Sequence, residues 1–482
     1  MSRASQNSIR TFFQGTAVFM LANMTIKVAQ ILVLPLITAH ISSADLGIAD
    51  MLQGFYGFVL PLLVMGFDAA FGAFYFEEDT PAYHEKVFTT IFTHLLLTSA
   101  LAAVAMLFAG PISRLIFQTD AYRDGVIVAL GIVMVNLWIV PFSQRLRMEK
   151  RMTVFSLITV AGSLLLLLGN VLMVVVWQMG YMAFVLSILL SYLAQFAFFV
   201  VTVHPRLSRD AFDPDLYRRM ARYALPLVPM MLVGWALSLS DRFLIQRLVG
   251  ADAVGMYGIA VRFQNTLTMV TSVIFATFSS FAFSTRQEEK AAESFVFVHD
   301  VLHVLLLGLA FFASLFAKEL LQFLVAPAFY PARATVAPLL FGQVCYASHT
   351  IFSFSFAFEK KSSLNLYPAL LGAVVNIVLN LIFIPRYHEV AAGYTTFVGY
   401  ALMMLVTYAM SQRVHPIPYH VGRTFCTSVG LLLAAAFCAS WTLPARALLF
   451  VIAAVGHLLL YREAVGAILT RIKEWARPAK AS

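Results

Sequence analysis

The stretch Thr153–Trp177, TVFSLITVAGSLLLLLGNVLMVVVW, contains no Asp, Glu, Lys or Arg. As a helix rising about 1.5 Å per residue it covers the roughly 30 Å hydrocarbon core of a bilayer. Similar runs precede it near Thr16–Ala39, Gly47–Tyr75, Val87–Ala109 and Gly125–Phe142, and Tyr181–Val203 follows it. A second set lies near Tyr223–Leu248, Gly255–Ser284, Phe295–Phe316, Ala334–Phe358, Leu364–Ile384 and Ala391–Ser411. Two shorter runs, Thr427–Trp441 and Ala445–Tyr461, close the set. The pattern predicts an all-α integral membrane protein with about 14 transmembrane helices.

Composition points the same way. The 482 residues are 61% hydrophobic and 12% charged, whereas soluble domains carry roughly 25% charge. A soluble fold this apolar could not cover its surface with polar groups, so the excess must face lipid. A cleaved signal peptide would need a short apolar core and a small-residue cleavage site. Thr16–Ala39 is longer and has no such site, and is expected to be a retained helix. Cys345, Cys426 and Cys438 lie within or against apolar runs, without CxxC or metal-ligand spacing, and read as small apolar residues.

The net charge of +9 is distributed between the spans. It is not gathered with exposed aromatics, as a nucleic-acid surface requires, so no nucleic-acid partner is expected. With both termini in the cytoplasm, the inside segments hold 23 of the 33 Lys and Arg residues, the outside segments hold 7, and 3 lie within spans. That excess is the positive-inside signature of a multi-pass protein of the cell inner membrane. The outside connections are short, the longest being Gly110–Asp124. They offer no platform for an enzyme, and neither a nucleophile cluster, a metal set nor a phosphate-binding loop is found. No enzymatic activity and no cofactor are expected. Two basic segments, Asp213–Arg222 and Arg462–Arg477, read as amphipathic helices lying on anionic lipid at the inner surface.

The two halves resemble each other at a nearly constant offset. Gly47 matches Gly255, Ala109 matches Ala317 and Tyr122 matches Tyr330, each 208 apart. The offset then drifts to 210, where Glu149-Lys150 matches Glu359-Lys360 and Asn170 matches Asn380. This predicts an N-lobe (1–208), a C-lobe (209–415), two further spans (416–461) and a cytoplasmic amphipathic tail (462–482). Six spans per lobe is an even number, so the repeats run parallel about an axis along the membrane normal. Two such lobes enclose a cleft, and rocking them exposes it to each side in turn.

A charge at mid-bilayer costs at least ~2.5–3.5 kcal/mol. Lys27 sits mid-span with Asn23 and Gln30 on the same helical face. It reads as a cleft-lining cation, against the alternative of a purely structural contact. Asp241, Arg242 and Arg262 lie in the seventh and eighth spans. Asp241 could pair with Arg262, or a guanidinium could be left to bind phosphate through two hydrogen bonds. Asp50 and Asp68, at opposite ends of the second span, could pair with Lys27 or carry a coupling proton. Asn136, Asn170, Asn376 and Asn380 are expected to bond across helices rather than bind substrate. His299, His303 and His349 read as packing or surface residues. Pro35, Pro61, Pro226 and Pro229 interrupt apolar runs and permit bends.

These residues resemble a family. Leu34-Pro35-Leu36-Ile37-Thr38, Leu46-Gly47 and Gly66-Phe67-Asp68-Ala69-Ala70-Phe71 form the first similar stretch. Ala224-Leu225-Pro226-Leu227-Val228-Pro229, Ser240-Asp241-Arg242-Phe243-Leu244-Ile245 and Gly255-Met256-Tyr257-Gly258-Ile259-Ala260-Val261-Arg262 form the second. The chain is similar to Wzx-type oligosaccharide or O-antigen flippases of the multidrug/oligosaccharidyl-lipid/polysaccharide (MOP) exporter superfamily. The resemblance implies two six-helix lobes around a basic cavity. It implies movement of polyprenyl-pyrophosphate-linked oligosaccharide from the cytoplasmic to the outer leaflet for surface polysaccharide synthesis, alongside a polymerase and glycosyltransferases. Many relatives carry an arginine where this chain has Ala73, which puts one inner contact in doubt. Such transport breaks no bond, since a hydrated cleft shields the sugar hydroxyls while the lipid tail stays in the bilayer. An ion gradient of H+ or Na+, the membrane potential or downstream consumption would supply the drive. The alternative is an ion-coupled multidrug or cation antiporter of the same superfamily, although a cation cleft should be acidic and these span cations are basic. A glycan polymerase or ligase would need a larger outer loop.

Overall fold

The structure, a computed structural model, describes residues 25–26, 29–204, 212–285, 291–462 and 466 of the chain. Every element among them is helical, and the protein is an all-α, multi-pass membrane protein. Two compact units are formed, one from residues 1–255 with 324–326, the other from 256–323 with 327–482.

In unit 1 a short helix α1 (Ala29–Thr38) is followed by α2 (Ser43–Val64), whose Ser42 hydroxyl accepts from Asp45 N–H at 3.0 Å and caps the first turn. The single span expected over Gly47–Tyr75 is two helices, because α3 (Phe67–Phe74) starts afresh after Met65 and Gly66, both with positive φ. Pro61 lies one turn earlier, and its carbonyl takes the Met65 N–H that closes α2. Gly66 is required here. Any Cβ would stand 2.7 Å from the Ala224 carbonyl at the end of α9 (Pro214–Ala224), the helix against which α3 packs.

Unit 1 continues with α4 (Pro81–Met106), α5 (Ala109–Phe117), α6 (Arg123–Met148), α7 (Met152–Val171, extended by a π turn to Val176) and α8 (Tyr181–Val203). Small residues let these helices approach closely. Gly162 lies against Gln195, and its carbonyl accepts from Ser191 Oγ at 2.7 Å. Helix α9 bears out the amphipathic reading of 213–222. Leu216, Met220 and Ala224 are buried, Arg218 is exposed, and the Asp213 carboxylate caps the helix by accepting from Asp215 and Leu216 N–H. Pro226 lies in a 3-10 turn after α9 and Pro229 in the first turn of α10 (Val228–Leu248), so both stand where helices change. The second amphipathic segment, 462–477, falls almost wholly outside the described residues.

Helix α11 (Ala251–Thr285) begins in unit 1 with the repeat-matched pair Gly47 and Gly255 in contact. A Cβ on Gly47 would lie 1.9 Å from the Ala251 carbonyl oxygen, and one on Gly255 would lie 2.1 Å from that of Ser43. Beside them Ser43 Oγ donates to Asp252 at 2.5 Å.

Unit 2 carries α12 (Ala291–Leu315), α13 (Ala317–Leu324), α14 (Arg333–Phe352), α15 (Phe354–Phe358), α16 (Leu366–Val414), α17 (Val421–Cys438) and α18 (Leu443–Leu460). The long α16 is a hairpin of two arms, 366–387 and 389–414, turning at His388 (φ 55°, ψ −144°). Gly372 and Gly399 bring the arms together. Asn376 Nδ2 donates to Thr396 Oγ1 at 3.3 Å, Asn380 Nδ2 donates to Asn376 at 3.2 Å, and Thr395 Oγ1 donates to Asn380. The expected role of Asn376 and Asn380 in bonding across helices is thus met within one hairpin. Among the described residues nine helices are long and apolar enough to cross a membrane. That number takes α16 as one helix although its arms are two expected spans. Helix α14 falls outside it because Gln343, Ser348 and His349 lower its hydropathy, and protein covers most of its length, so these residues need not face lipid.

Candidate functional site

The expected site residues divide between the units. Lys27 lies outside the described residues. Asp50 is buried in the second turn of α2. Asp241 is buried and Arg242 half-buried on α10, also in unit 1. Arg262 is half-buried on α11, in unit 2. Of the three expected cations, the two that are described are therefore shielded from full solvent, as charges within apolar helices must be.

Asp68 occupies the first turn of α3, where the helix dipole favours a carboxylate. Its Oδ1 is buried without a hydrogen-bond partner, and Arg147, near the end of α6, is a charge that acts on it. The Arg147 guanidinium lies 4.4 Å above the Phe155 ring. Its neighbour Arg145 is bound to Glu85 at 2.9 Å and Glu149 at 2.8 Å. Arg219 on α9 bonds Glu77 at 2.9 Å, which ties the α3–α4 connection to the helix after α8. Arg145, Arg147 and Arg219 are among the 23 inside cations of the charge count. Packing gives Arg145 and Arg219 acidic partners and sets Arg147 beside Asp68. Ala73 is exposed on α3.

Unit 2 holds a polar cluster that its sequence understates. His299 and His303, one turn apart on α12, are fully buried, as is His349 on α14, so none is a surface residue. Arg423 lies before the apolar run Thr427–Trp441, yet it belongs to the first turn of α17 and forms an ion pair with Asp300 of α12. Its guanidinium also covers the Tyr461 ring at 4.0 Å. His299 reaches Asp300 and Ser348 at 3.3 Å each, and His349 reaches Thr407 at 2.7 Å. Thr427 Oγ1 lies 2.8 Å from the Arg423 carbonyl, 3.1 Å from the Thr424 carbonyl and 3.1 Å from His303 Nε2. His303 Nδ1 is buried without a hydrogen-bond partner. Among the described residues no group of three or more His, Cys, Asp or Glu could hold a metal ion. The signal present in the sequence was the i, i+4 histidine pair beside Asp300 on an otherwise apolar helix.

A second buried charge lies at the other end of unit 2. Arg446, at the very start of the last apolar run, is in the first turn of α18 and only 3% exposed. It donates to Glu319 of α13 at 3.0 and 2.5 Å, to the Leu315 carbonyl at 2.6 Å and to the Trp441 carbonyl at 3.1 Å. Those hydrogen bonds hold the Glu319 carboxyl below its usual range.

Residues 37–334, more than half of the chain, match the polysaccharide biosynthesis protein family. The chain belongs to that family. Its fold is similar to a solved structure of the lipid II flippase MurJ in an inward closed conformation, at 13% identity, with 94% of this chain and 99% of that one covered and a TM-score of 0.72. It is also similar to an inward-facing multidrug resistance MATE family transporter of the MOP superfamily, at 14% identity, 85% and 96% coverage and a TM-score of 0.63. A MOP superfamily transporter from Pyrococcus furiosus matches at 14% identity, 83% and 95% coverage and a TM-score of 0.55. No curated protein matches the chain significantly. At these identities the solved structures establish a shared transporter fold for this family member and nothing about its cargo.

Proposed function

We propose that this polysaccharide biosynthesis family member is a flippase of the cell inner membrane, with both termini cytoplasmic. It moves polyprenyl-pyrophosphate-linked oligosaccharide repeat units from the cytoplasmic to the outer leaflet. The family match over residues 37–334 carries the reading. The likeness to a lipid II flippase supports it, because that protein, by its name, handles a lipid-borne cargo. The charge pattern supports it too. Lys27, Arg242 and Arg262 are retained within apolar spans at a cost of at least ~2.5–3.5 kcal/mol each on insertion scales, and a diphosphate is an anion that offsets such a cost through charge-assisted hydrogen bonds. The lobes predicted by the repeat, 1–208 and 209–415, alternate access, while Asp50, Asp68 and Asp241 pair the cations or carry the coupling H+ or Na+. A polymerase and glycosyltransferases act downstream and upstream on the same lipid-linked unit.

The test is a strain lacking this chain, complemented with K27Q, R242Q and R262Q singly and together. Trapping of the lipid-linked unit on the inner leaflet, at wild-type protein level, is the expected result. Normal surface glycan from the triple variant removes these residues from the mechanism. The likeness to MATE transporters favours a second reading, an ion-coupled exporter of organic cations. Extrusion of a cationic dye by the reconstituted chain would select it.

A further inference from the structure

Two cavities meet in unit 2 at the end of the bundle that holds Arg446. The first, of about 300 Å³, is lined by Ser314, Lys318, Arg333, Tyr394, Ser440 and Arg446, among others. The second, of about 310 Å³, is lined by Leu379, Phe383, Tyr387, Val390, Tyr394 and Val398, among others, and nearly all of its wall is apolar. Val390 and Tyr394 belong to both. One cavity is thus cationic, the other greasy, and they adjoin at Val390 and Tyr394. We propose that together they bind an anionic glycerophospholipid, with its phosphate in the first and an acyl chain in the second.

The charge is built into the first cavity. Glu319 is occupied by Arg446, which it holds as a rigid wall. Lys318 and Arg333 are exposed to the cavity's solvent and make no ion pair within 4.0 Å among the described residues. They leave an excess of positive charge that a phosphate diester offsets. The site also lies at the right depth. The turn from α17 to α18 carries exposed Trp441, the turn of α16 carries exposed Tyr387, and Tyr394 follows in the second arm. Aromatic side chains with polar tips concentrate at headgroup level. The second cavity runs from that level along both arms of the hairpin. Leu379 and Val398 lie nine and ten residues from His388, which is roughly 13–15 Å along the helix axis. That is the direction and reach of an acyl chain entering the hydrocarbon.

The occupant follows from size. A glycerol phosphate fits inside the basic cavity, whereas a diphosphate bearing several sugars does not. The lipid is therefore a resident of the leaflet on this side, read above as the outer one, and not the transported cargo. The inference stands independently of the proposed cargo, since every residue in it belongs to unit 2 and none is among the expected cargo residues.

The full chain, purified in detergent, is mixed with palmitoyl-oleoyl phosphatidylglycerol or phosphatidylethanolamine, and retained lipid is counted by native mass spectrometry. Wild type should retain phosphatidylglycerol at least fivefold better than phosphatidylethanolamine. K318Q/R333Q should lose that preference. V398W, which changes no charge and fills the greasy cavity, should lower retention of both lipids and decides the matter if the double variant does not fold. A polyprenyl-pyrophosphate-linked tetrasaccharide is added as competitor. Equal retention of the two lipids by wild type, unchanged preference in K318Q/R333Q with unchanged binding in V398W, or displacement of phosphatidylglycerol by the equimolar lipid-linked tetrasaccharide would each overturn the proposal.

Discussion

Replacing Arg423 by Gln tests the buried cluster of unit 2. The Asp300 side chain is 9% exposed, and its carboxylate is paired with Arg423 and lies beside His299. The substitution removes the guanidinium and leaves the carboxylate with one imidazole and the half-exposed His420, 3.6 Å away. Breaking a buried pair by deleting one partner costs about 3–5 kcal/mol, since the remaining charge stays desolvated. Loss of the guanidinium over the Tyr461 ring removes about 1 kcal/mol more. With about 2–4 °C per kcal/mol for a unit of this size, the melting midpoint should fall by roughly 8–24 °C. Cys345 and Cys438 are buried in the same unit and Cys426 is exposed. A thiol-reactive dye therefore labels Cys426 at once and the other two only on unfolding, which gives the midpoint directly in detergent. In D300N/R423Q no charge is stranded, and most of the loss should return. The reasoning is refuted if R423Q melts within about 2 °C of wild type, or if D300N/R423Q melts no higher than R423Q.

Gly47→Val should be severe, because the Cβ that stands 1.9 Å from the Ala251 carbonyl oxygen must move out to about 3.2 Å, which drives α2 from α11 and breaks the Ser43–Asp252 bond. A fall in folded yield with Gly255→Val behaving alike is expected, and normal expression of either variant would contradict it. Glu319 gives a pH signature. Its folded value is depressed by Arg446, so its contribution is present above the ordinary carboxyl range of about 4 and is lost as pH falls through the folded value. E319Q should therefore melt below wild type at neutral pH, and the gap should close only in acid. A constant gap across pH would exclude the pair as its source. Asn376→Ala leaves Asn380 and Thr396 short of a partner within the α16 hairpin. Protease cleavage near His388, followed by gel electrophoresis, should become faster, whereas Asn170→Ala, whose carbonyl oxygen has no partner, should leave it unchanged.

Much of the fold was legible because hydrophobic length is a local property. The span at Tyr181–Val203 and the amphipathic α9 were readable from residue order alone. Proline and glycine marked where helices break, although the restart at Gly66 needed the sight of Ala224 pressed against it. Depth and partnership were not legible. Arg423 stands before its apolar run, which begins later than the helix does, and Arg446 stands at the edge of its own, so neither shows its depth in the sequence. A helix can start in a polar residue when a carboxylate from a distant helix receives it. Asp300 and Glu319 do so across more than a hundred residues of sequence.

Sequence by itself determined that this chain lives in a bilayer as helices, because the cost of placing apolar surface in water depends only on how much of it there is. It also set the matched glycines at 47 and 255, the basic residues within spans and the family to which residues 37–334 belong. Only the tertiary structure decided which polar groups meet. Buried hydrogen bonds and ion pairs act over a few ångströms, and folding brings residues such as His303 and Thr427, or Lys318 and Arg333, within that range or around one cavity.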